Sequence, residues 1–393
     1  MNHTNKQSKP WQQRNAKKRS ISPGGRVHNK KKKLISDNVD LTTKVSSELK
    51  IALNSFKLSH INIEDIQPYG SRISGLNVDD SDIDIHITCS SKRPIREMIQ
   101  SITNVLRHQN TFIKIIPLYF TKVPLIKCIH RSTGVDCDLS FNNIYAVQNT
   151  YLLKQYITLN HSVKPVLIGL KLWAKKHDLI NTYGFSSYSF YWLGLFFFQV
   201  KGMLPTVYDL QKNIPELKIG QWNCAFSKDT HQFIENEKMA TSTLLDQIYN
   251  YYSNFEYENF VICPYLGCLL PKSSFENVEA LPEELTKYKQ FHKENTNQQK
   301  LQFLGKSKFN MYVQDPFQHN YNITARVTPK IFLKFIDVCK KSKLIADDDA
   351  CTKSQNTKDD VQNDDDTCKK LKLGVQEDVM MLMYKDEYPM YFT

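Results

Sequence analysis

Gly70-Ser71-Arg72-Ile73-Ser74-Gly75-Leu76-Asn77-Val78-Asp79-Asp80-Ser81-Asp82-Ile83-Asp84-Ile85-His86-Ile87 is the stretch on which the reading of this chain turns. From Asp82 onward the polar residues Asp82, Asp84 and His86 alternate with Ile83, Ile85 and Ile87. A period of two marks a strand with one face in a core. Residues i and i+2 project to the same side, so Asp82 and Asp84 offer two carboxylates on one face while the isoleucines enter the core. Two like charges held so close repel each other, and a divalent cation offsets that cost. Oxygen-only ligands suit magnesium or manganese. Ahead of the strand, Gly70-Ser71 gives a backbone turn that can approach a phosphate and a hydroxyl to bind it. A lone Asp-x-Asp is usually a surface turn. A Gly-Ser a dozen residues before it, leading into an alternating strand, is far more specific.

Farther along, Val135-Asp136-Cys137-Asp138-Leu139-Ser140 repeats the pattern, with Asp136 and Asp138 on the face opposite Val135, Cys137 and Leu139. A carboxylate on a neighbouring strand completes a site for two divalent cations, the arrangement that stabilises attacking and leaving oxygens together. Phe112–Ile116 is another candidate strand. Pro94–Arg107 reads as a helix with Ile95, Met98, Ile99, Ile102, Val105 and Leu106 on one side, and a helix from about Leu41 to Leu58 has a loose apolar face of Val45, Leu49, Ile51, Leu53 and Phe56. From Asn149 the pattern turns helical: Val163, Val166, Leu167, Leu170, Trp173 and Ala174 mark one face, and more helices are expected near 186–200, 240–253 and 329–343. Ser187–Val200 is very apolar but too short for a bilayer of about 30 Å, so a buried helix is expected and no membrane partner.

At 393 residues and 41% hydrophobic, the chain can build a full core and about two domains. Its net charge of +12 is local: residues 1–35 hold eleven Lys or Arg and no Asp or Glu, leaving 41 basic against 40 acidic residues elsewhere. Such a tail fits nucleic acid, a membrane surface or a nuclear address, and equally a solvated disordered arm with no such role. It has no apolar signal-peptide core. The nine cysteines include no Cys-x-x-Cys pair, which points away from a structural zinc site and toward reduced thiols in cytoplasm or nucleus.

Six ordered motifs resemble the DNA polymerase β-like nucleotidyltransferases, in particular the cytoplasmic poly(A) polymerases and terminal uridylyltransferases. They are the Gly70–Ile87 stretch; Cys137–Thr150 with its third Asp and its Asn-Asn and Asn-Thr pairs; Leu170–Leu179; Gly184–Trp192; Leu204–Lys212 with Gly220–Phe226; and Val313–Val327. The resemblance spans residues 40 to 345. It implies that Asp82, Asp84 and Asp138 are catalytic and hold two Mg2+ (or Mn2+) ions, Asp138 serving the RNA 3′-hydroxyl. It implies a nucleotide site of Gly70 and Ser71 at the triphosphate, Asn149 and Thr150 at ribose or base, Lys171 and Lys175 at the phosphates, Ser187 at a phosphate and Tyr188 stacked on the base. Read without the family, the two lysines are an ordinary solvated helix face, Tyr188 is core and Asn149 a helix cap. The Asp315-Pro316-Phe317 loop is expected to border the base. Uridylyl-selective relatives often carry His before the Asn matching Asn322; here Tyr321 stands there and His319 lies two residues earlier, so Tyr321 is expected in the nucleotide site, its hydroxyl on a uracil edge or its ring only filling space.

The expected architecture is α+β: a nucleotidyltransferase palm with a mixed sheet, packed on a mostly helical central domain. The expected divisions are a basic disordered tail (1–35), a helix joining the central domain (36–58), the palm (59–148), the central domain with a poly(A)-polymerase-associated region (149–345), an acidic linker (346–370) and a C-terminal segment (371–393). The expected activity is template-independent addition of ribonucleotides to RNA 3′ ends, uridylation first, adenylation the alternative, and a silent RNA-binding scaffold the rival from another class. The substrates would be an RNA 3′ end and UTP or ATP, for a cytoplasmic monomer that enters the nucleus if the tail is an import signal. No RNA-recognition module is visible, so a protein partner would help choose the RNA.

Overall fold

The computed structural model describes residues 36–55, 60–121, 123–229, 239–295 and 311–355. The expectations for the tail 1–35, for Phe56 and for the segment 371–393 lie outside the described residues.

The palm runs through α1 (Ser36–Asn54), β1 (Ile61–Tyr69), a single turn α2 (Ser71–Ser74), β2 (Ile83–Ser91), α3 (Ile95–His108), β3 (Phe112–Leu118), β4 (Leu125–His130) and β5 (Asp136–Phe141). Its five strands lie in the order β1-β2-β5-β4-β3, antiparallel except for the β2–β5 pair. The sheet is mixed, as expected. Ile83, Ile85 and Ile87 point into the palm core with Cys137, Leu139 and the buried side of α3, formed by Met98, Ile99, Ile102, Val105 and Leu106.

One expectation is overturned here. Val45, Leu49 and Leu53 of α1 are buried in the same cluster as Ile85, Ile99 and Leu139, and Glu48 lies 3.0 Å from His130 Nε2 on β4. The helix therefore packs on the palm rather than on the central domain. Its apolar stripe dictates that it is covered, but not by what. Ile51, counted on that stripe, is 69% exposed, because two residues at roughly 100° each carry it from Leu49 to the helix face opposite Val45, Leu49 and Leu53.

The helical part comprises α4 (Ile144–Leu159), α5 (Val163–Lys176), α6 (Ser187–Val200), the short α7 (Val207–Gln211), α8 (Thr241–Ser253), α9 (Thr286–Glu294) and α10 (Pro329–Gln355). Two small hairpins interrupt it: β6–β7 (Lys218–Ile219, Trp222–Asn223) and β8–β9 (Phe260–Cys263, Cys268–Pro271). The α4 helix crosses the division placed at 148/149, so palm and central domain are joined by one continuous helix. The last helix continues to Gln355, ten residues into the stretch expected to be linker.

The apolar α6 is buried from Ser189 to Gln199. Gly194 lets α5 approach it closely, since a Cβ there would lie 2.5 Å from Leu167 Cδ2. That packing fixes Lys171 on α5 relative to Tyr188 on α6. Among the described residues no helix is long and apolar enough to cross a membrane.

Candidate active site

The sheet register builds the site. Tyr69 on β1 pairs with Asp84 on β2, Asp84 with Asp138 on β5, Asp138 with Lys127 on β4, and Lys127 with Ile116 on β3. Paired residues on adjacent strands project to the same face, so this row crosses the whole sheet on the side away from the palm core. Asp82 stands one step before β2. Ligand oxygens of Asp82, Asp84 and Asp138 all lie within 4.8 Å of one another. Asp136 shares the Asp138 face but is exposed and outside that cluster.

Loop geometry delivers these acids. The Arg72 guanidinium Nε donates to the carbonyls of Ser81 (3.1 Å) and Asp82 (3.2 Å), clamping the approach to β2. Gly70 has φ +79° and packs so tightly that a Cβ would sit 2.0 Å from Asp84 Oδ2. Only glycine meets both conditions. Asn142, at φ 51° after β5, accepts from Cys89 N and donates to Cys89 O, tying the β5–α4 corner to β2.

A cavity of about 860 Å³ opens over the acids. Gly70, Ser71, Asp82, Asp84, Asp138, Asn149, Thr150, Lys171, Lys175, Ser187 and Tyr188 all line it. Thr150 is committed internally: its hydroxyl accepts from Gly70 N (2.9 Å) and donates to Ala146 O (2.8 Å). It holds the Gly70 turn. Asn149 Oδ1, by contrast, is buried and has no hydrogen-bond partner among the described residues. Lys171 is buried and reaches across to the palm, donating to Leu76 O (3.2 Å). Burial and the neighbouring Lys175 lower its pKa to about 8. Lys175 pairs with Asp80 at 2.9 Å. Ser186 caps α6 in a capping box with Ser189, leaving the Ser187 hydroxyl at the cavity. The Tyr188 hydroxyl donates to Asp315 Oδ2 (3.0 Å), which fixes its ring.

Tyr321 is the exception, since it does not line the cavity. Tyr321 is half-buried, whereas Asp315 and Phe317 are buried, at 1% and 0% exposure. The Asp315-Pro316-Phe317 loop meets the cavity-lining Tyr188 through the Asp315 carboxylate. The Asp315 N–H donates to Tyr321 O (2.9 Å). His319 is enclosed by the rings of Trp222 and Tyr265.

Lys127 was missed in the sequence. Its ammonium lies 2.8 and 2.7 Å from the two oxygens of Asp138. Its only sequence signal is a lysine in the middle of Leu-Ile-Lys-Cys-Ile-His, a strand whose partner is not local.

The oxygen-only cluster fits a divalent cation, and its electrostatics ask for one. Burial, then Asp82 and Asp138, push the Asp84 carboxyl up to about 8. Burial also raises Asp138, against the pull of Lys127. At neutral pH Asp84 therefore holds a proton that a metal must displace. Mn2+ affinity, measured by electron paramagnetic resonance, is expected to rise by up to about tenfold per pH unit toward pH 8 and then to level. A flat profile from pH 6 to 9 would contradict this.

Fold and site together define a nucleotidyltransferase palm. Residues 26–158 match the family model described as poly(A) RNA polymerase, mitochondrial-like, central palm domain. The Drosophila melanogaster poly(A) RNA polymerase gld-2 homolog B is 27% identical over 250 residues, 57% of this chain and 18% of that protein. The Homo sapiens terminal uridylyltransferase 4 is 27% identical over 213 residues, 49% of this chain and 13% of that protein. The chain thus matches less than a fifth of the length of these curated relatives. A solved structure of mtPAP in complex with CTP shares the fold at TM-score 0.64 and 20% identity, covering 79% of this chain and 64% of that one. One of the Cid1 poly(U) polymerase with Mg 3′-dATP gives 0.63 and 18%, covering 80% and 89%. The resemblance carried by the ordered motifs is borne out.

Proposed function

We propose that this chain is a template-independent RNA 3′-terminal nucleotidyltransferase, with UTP as its preferred substrate and ATP the alternative. The observation that carries the reading is the clustering of Asp82, Asp84 and Asp138 at the floor of a cavity whose wall holds Gly70, Ser71, Lys171 and Lys175. The three acids would hold two Mg2+ (or Mn2+) ions. Bound there, such ions would favour the ionised 3′-hydroxyl and neutralise charge on the leaving pyrophosphate.

The chain's own groups do the positioning on which this reaction chiefly depends. The Gly70-Ser71 turn and the Ser71 hydroxyl receive the triphosphate, held in register by Thr150. Lys171 and Lys175 approach its charge from α5, Lys175 exchanging Asp80 for phosphate. Ser187 meets a phosphate, Asn149 Oδ1 accepts from a ribose hydroxyl or a base N–H, and Tyr188 offers a ring already fixed by Asp315. The primer 3′-oxygen bonds to the α-phosphorus, the bond to pyrophosphate breaks, and the hydroxyl proton passes to Asp138 or solvent. A silent scaffold would have no need of three intact, mutually repelling acids. Residues 1–35 are proposed to add phosphate contacts or nuclear import to a cytoplasmic enzyme, and a protein partner to choose the RNA.

Uracil is favoured on the likeness of the Val313–Val327 and Gly220–Phe226 segments to uridylyltransferases. Tyr321 does not line the cavity and its carbonyl accepts from the Asp315 N–H, so its hydroxyl would act through Asp315 rather than on the base. An unpaired buried group costs roughly 1–3 kcal/mol, equivalent to a preference of about five- to 150-fold. An indirect contact belongs at the low end. Tyr321→Phe is therefore expected to lower the UTP-to-ATP ratio of kcat/KM by about fivefold. An unchanged ratio would clear Tyr321 of selection, and a wild-type preference for ATP would assign the enzyme to adenylation.

A further inference from the structure

We infer that the β3–β4 hairpin is the surface on which the last nucleotides of the RNA primer lie, Lys114 and Lys127 meeting its phosphates and Ile116 and Ile129 lying under its terminal sugar and base. This rests on the nucleotidyl-transfer reading above. In-line displacement requires the attacking oxygen to enter opposite the leaving pyrophosphate. The row across the sheet separates the two sides. Gly70 and Ser71 follow β1, at the Asp84 end, and are joined there by the α5 lysines. Beyond Asp138 the same row continues through Lys127 to Ile116. With the triphosphate at one end, the primer has the other.

That end is built for a polyanion with exposed bases. Lys114, Ile116, Lys127 and Ile129 line the same cavity as the acids, as does the exposed Asp136 paired with Ile129 at the outer end of β5. Ile116 is 55% exposed and the Lys127 side chain 51%. Lys114 stands at φ 50° where the β3–β4 register shifts between Ile113 and Ile116, and no described residue forms an ion pair with it. Cations alternating with exposed apolar side chains suit a single strand, whose phosphates and base faces both seek contacts. The Lys127 ammonium now rests on Asp138. A cation bound at Asp138 would release Lys127 toward the primer phosphate next to the reacting hydroxyl. β3 is the outermost strand of the sheet, so the track is open at its far side.

The test uses the full chain and a short RNA with 4-thiouridine at its 3′ end. Irradiation should attach the terminal nucleotide to peptides within 112–130. The double variant Lys114→Glu/Ile116→Glu, both at exposed positions, should bind the RNA about tenfold more weakly at low salt. Its plot of log affinity against log salt should be shallower by about 0.7, the value for one lost single-strand phosphate contact. KM for the nucleotide should stay unchanged. Crosslinks confined to residues 144–355, or undiminished RNA affinity in the double variant, would overturn the track while leaving the transfer reading intact. Wild-type protein that neither binds nor extends any RNA primer would instead sink the transfer reading, and this inference with it.

Discussion

Asp84→Asn is expected to cut nucleotide transfer by about 1,000-fold or more while leaving the protein folded. Asp84 neighbours both Asp82 and Asp138 in the acidic cluster, and burial together with these two charges pushes its carboxyl up to about 8. Removing a ligand that both cations would share takes away metal charge worth several kcal/mol in the transition state, and each 1.4 kcal/mol is tenfold in rate. Folding should not suffer, because the carboxyl is already driven toward its neutral form by burial and by its neighbours. An asparagine replaces it with a neutral group of the same shape. Thermal melting in EDTA should show a midpoint equal to or above that of the wild type. Asp136→Asn is the matched control: an exposed acid on the same strand face, outside the cluster, whose loss should leave the rate within a few-fold. Full activity in Asp84→Asn, or comparable loss in Asp136→Asn, would mean the acids have been assigned wrongly.

Gly70→Ala is expected to be nearly as damaging, for a different reason. The added Cβ would lie 2.0 Å from Asp84 Oδ2 and 2.8 Å from its Cγ, at a backbone φ of +79°. Real contacts of that kind do not persist, so either the turn or the carboxylate moves. Both form the site, and a displacement of about 1 Å costs on the order of 100-fold in a positioned reaction. Gly75→Ala separates strain from collision. Gly75 has φ +82°, but a Cβ added there would meet nothing within 4 Å. It should lose about 1 kcal/mol of stability through strain and keep its activity. Equal kcat/KM values for the two variants, each corrected for folded fraction, would reject the role given to the Gly70–Asp84 contact.

What could be read from the sequence was what depends on local periodicity. Asp82, Asp84 and Asp138 were legible because alternation along a strand assigns each residue a face, and the isoleucines and leucine between them declare which face is core. The α5 and α6 helices were legible because their apolar positions recur at helical spacing or fill the helix entirely. Contacts between distant segments were not. Lys127 meets Asp138 only because β4 pairs with β5 in a particular register, and its strand carries no alternation strong enough to announce itself. The Thr150 hydroxyl is turned to Gly70, 80 residues earlier in the chain, so a residue that motif matching places at the ribose instead supports the phosphate turn. The stripe on α1 foretold burial without naming the palm as its cover. Depth was likewise hidden: nothing in Asp315–Phe317 says that its side chains are buried off the cavity wall and reach it by the Asp315–Tyr188 hydrogen bond.

The central claim is that the cavity over Asp82, Asp84 and Asp138 transfers nucleotides to RNA. It is tested most directly by incubating purified protein with a labelled single-stranded RNA, Mg2+ and each of the four ribonucleoside triphosphates separately, with no template. The account predicts that the RNA lengthens from its 3′ end, most efficiently with UTP, that pyrophosphate appears in step with added nucleotides, and that EDTA stops both. RNA of unchanged length with all four nucleotides, under conditions where the folded protein binds Mg2+, would contradict it.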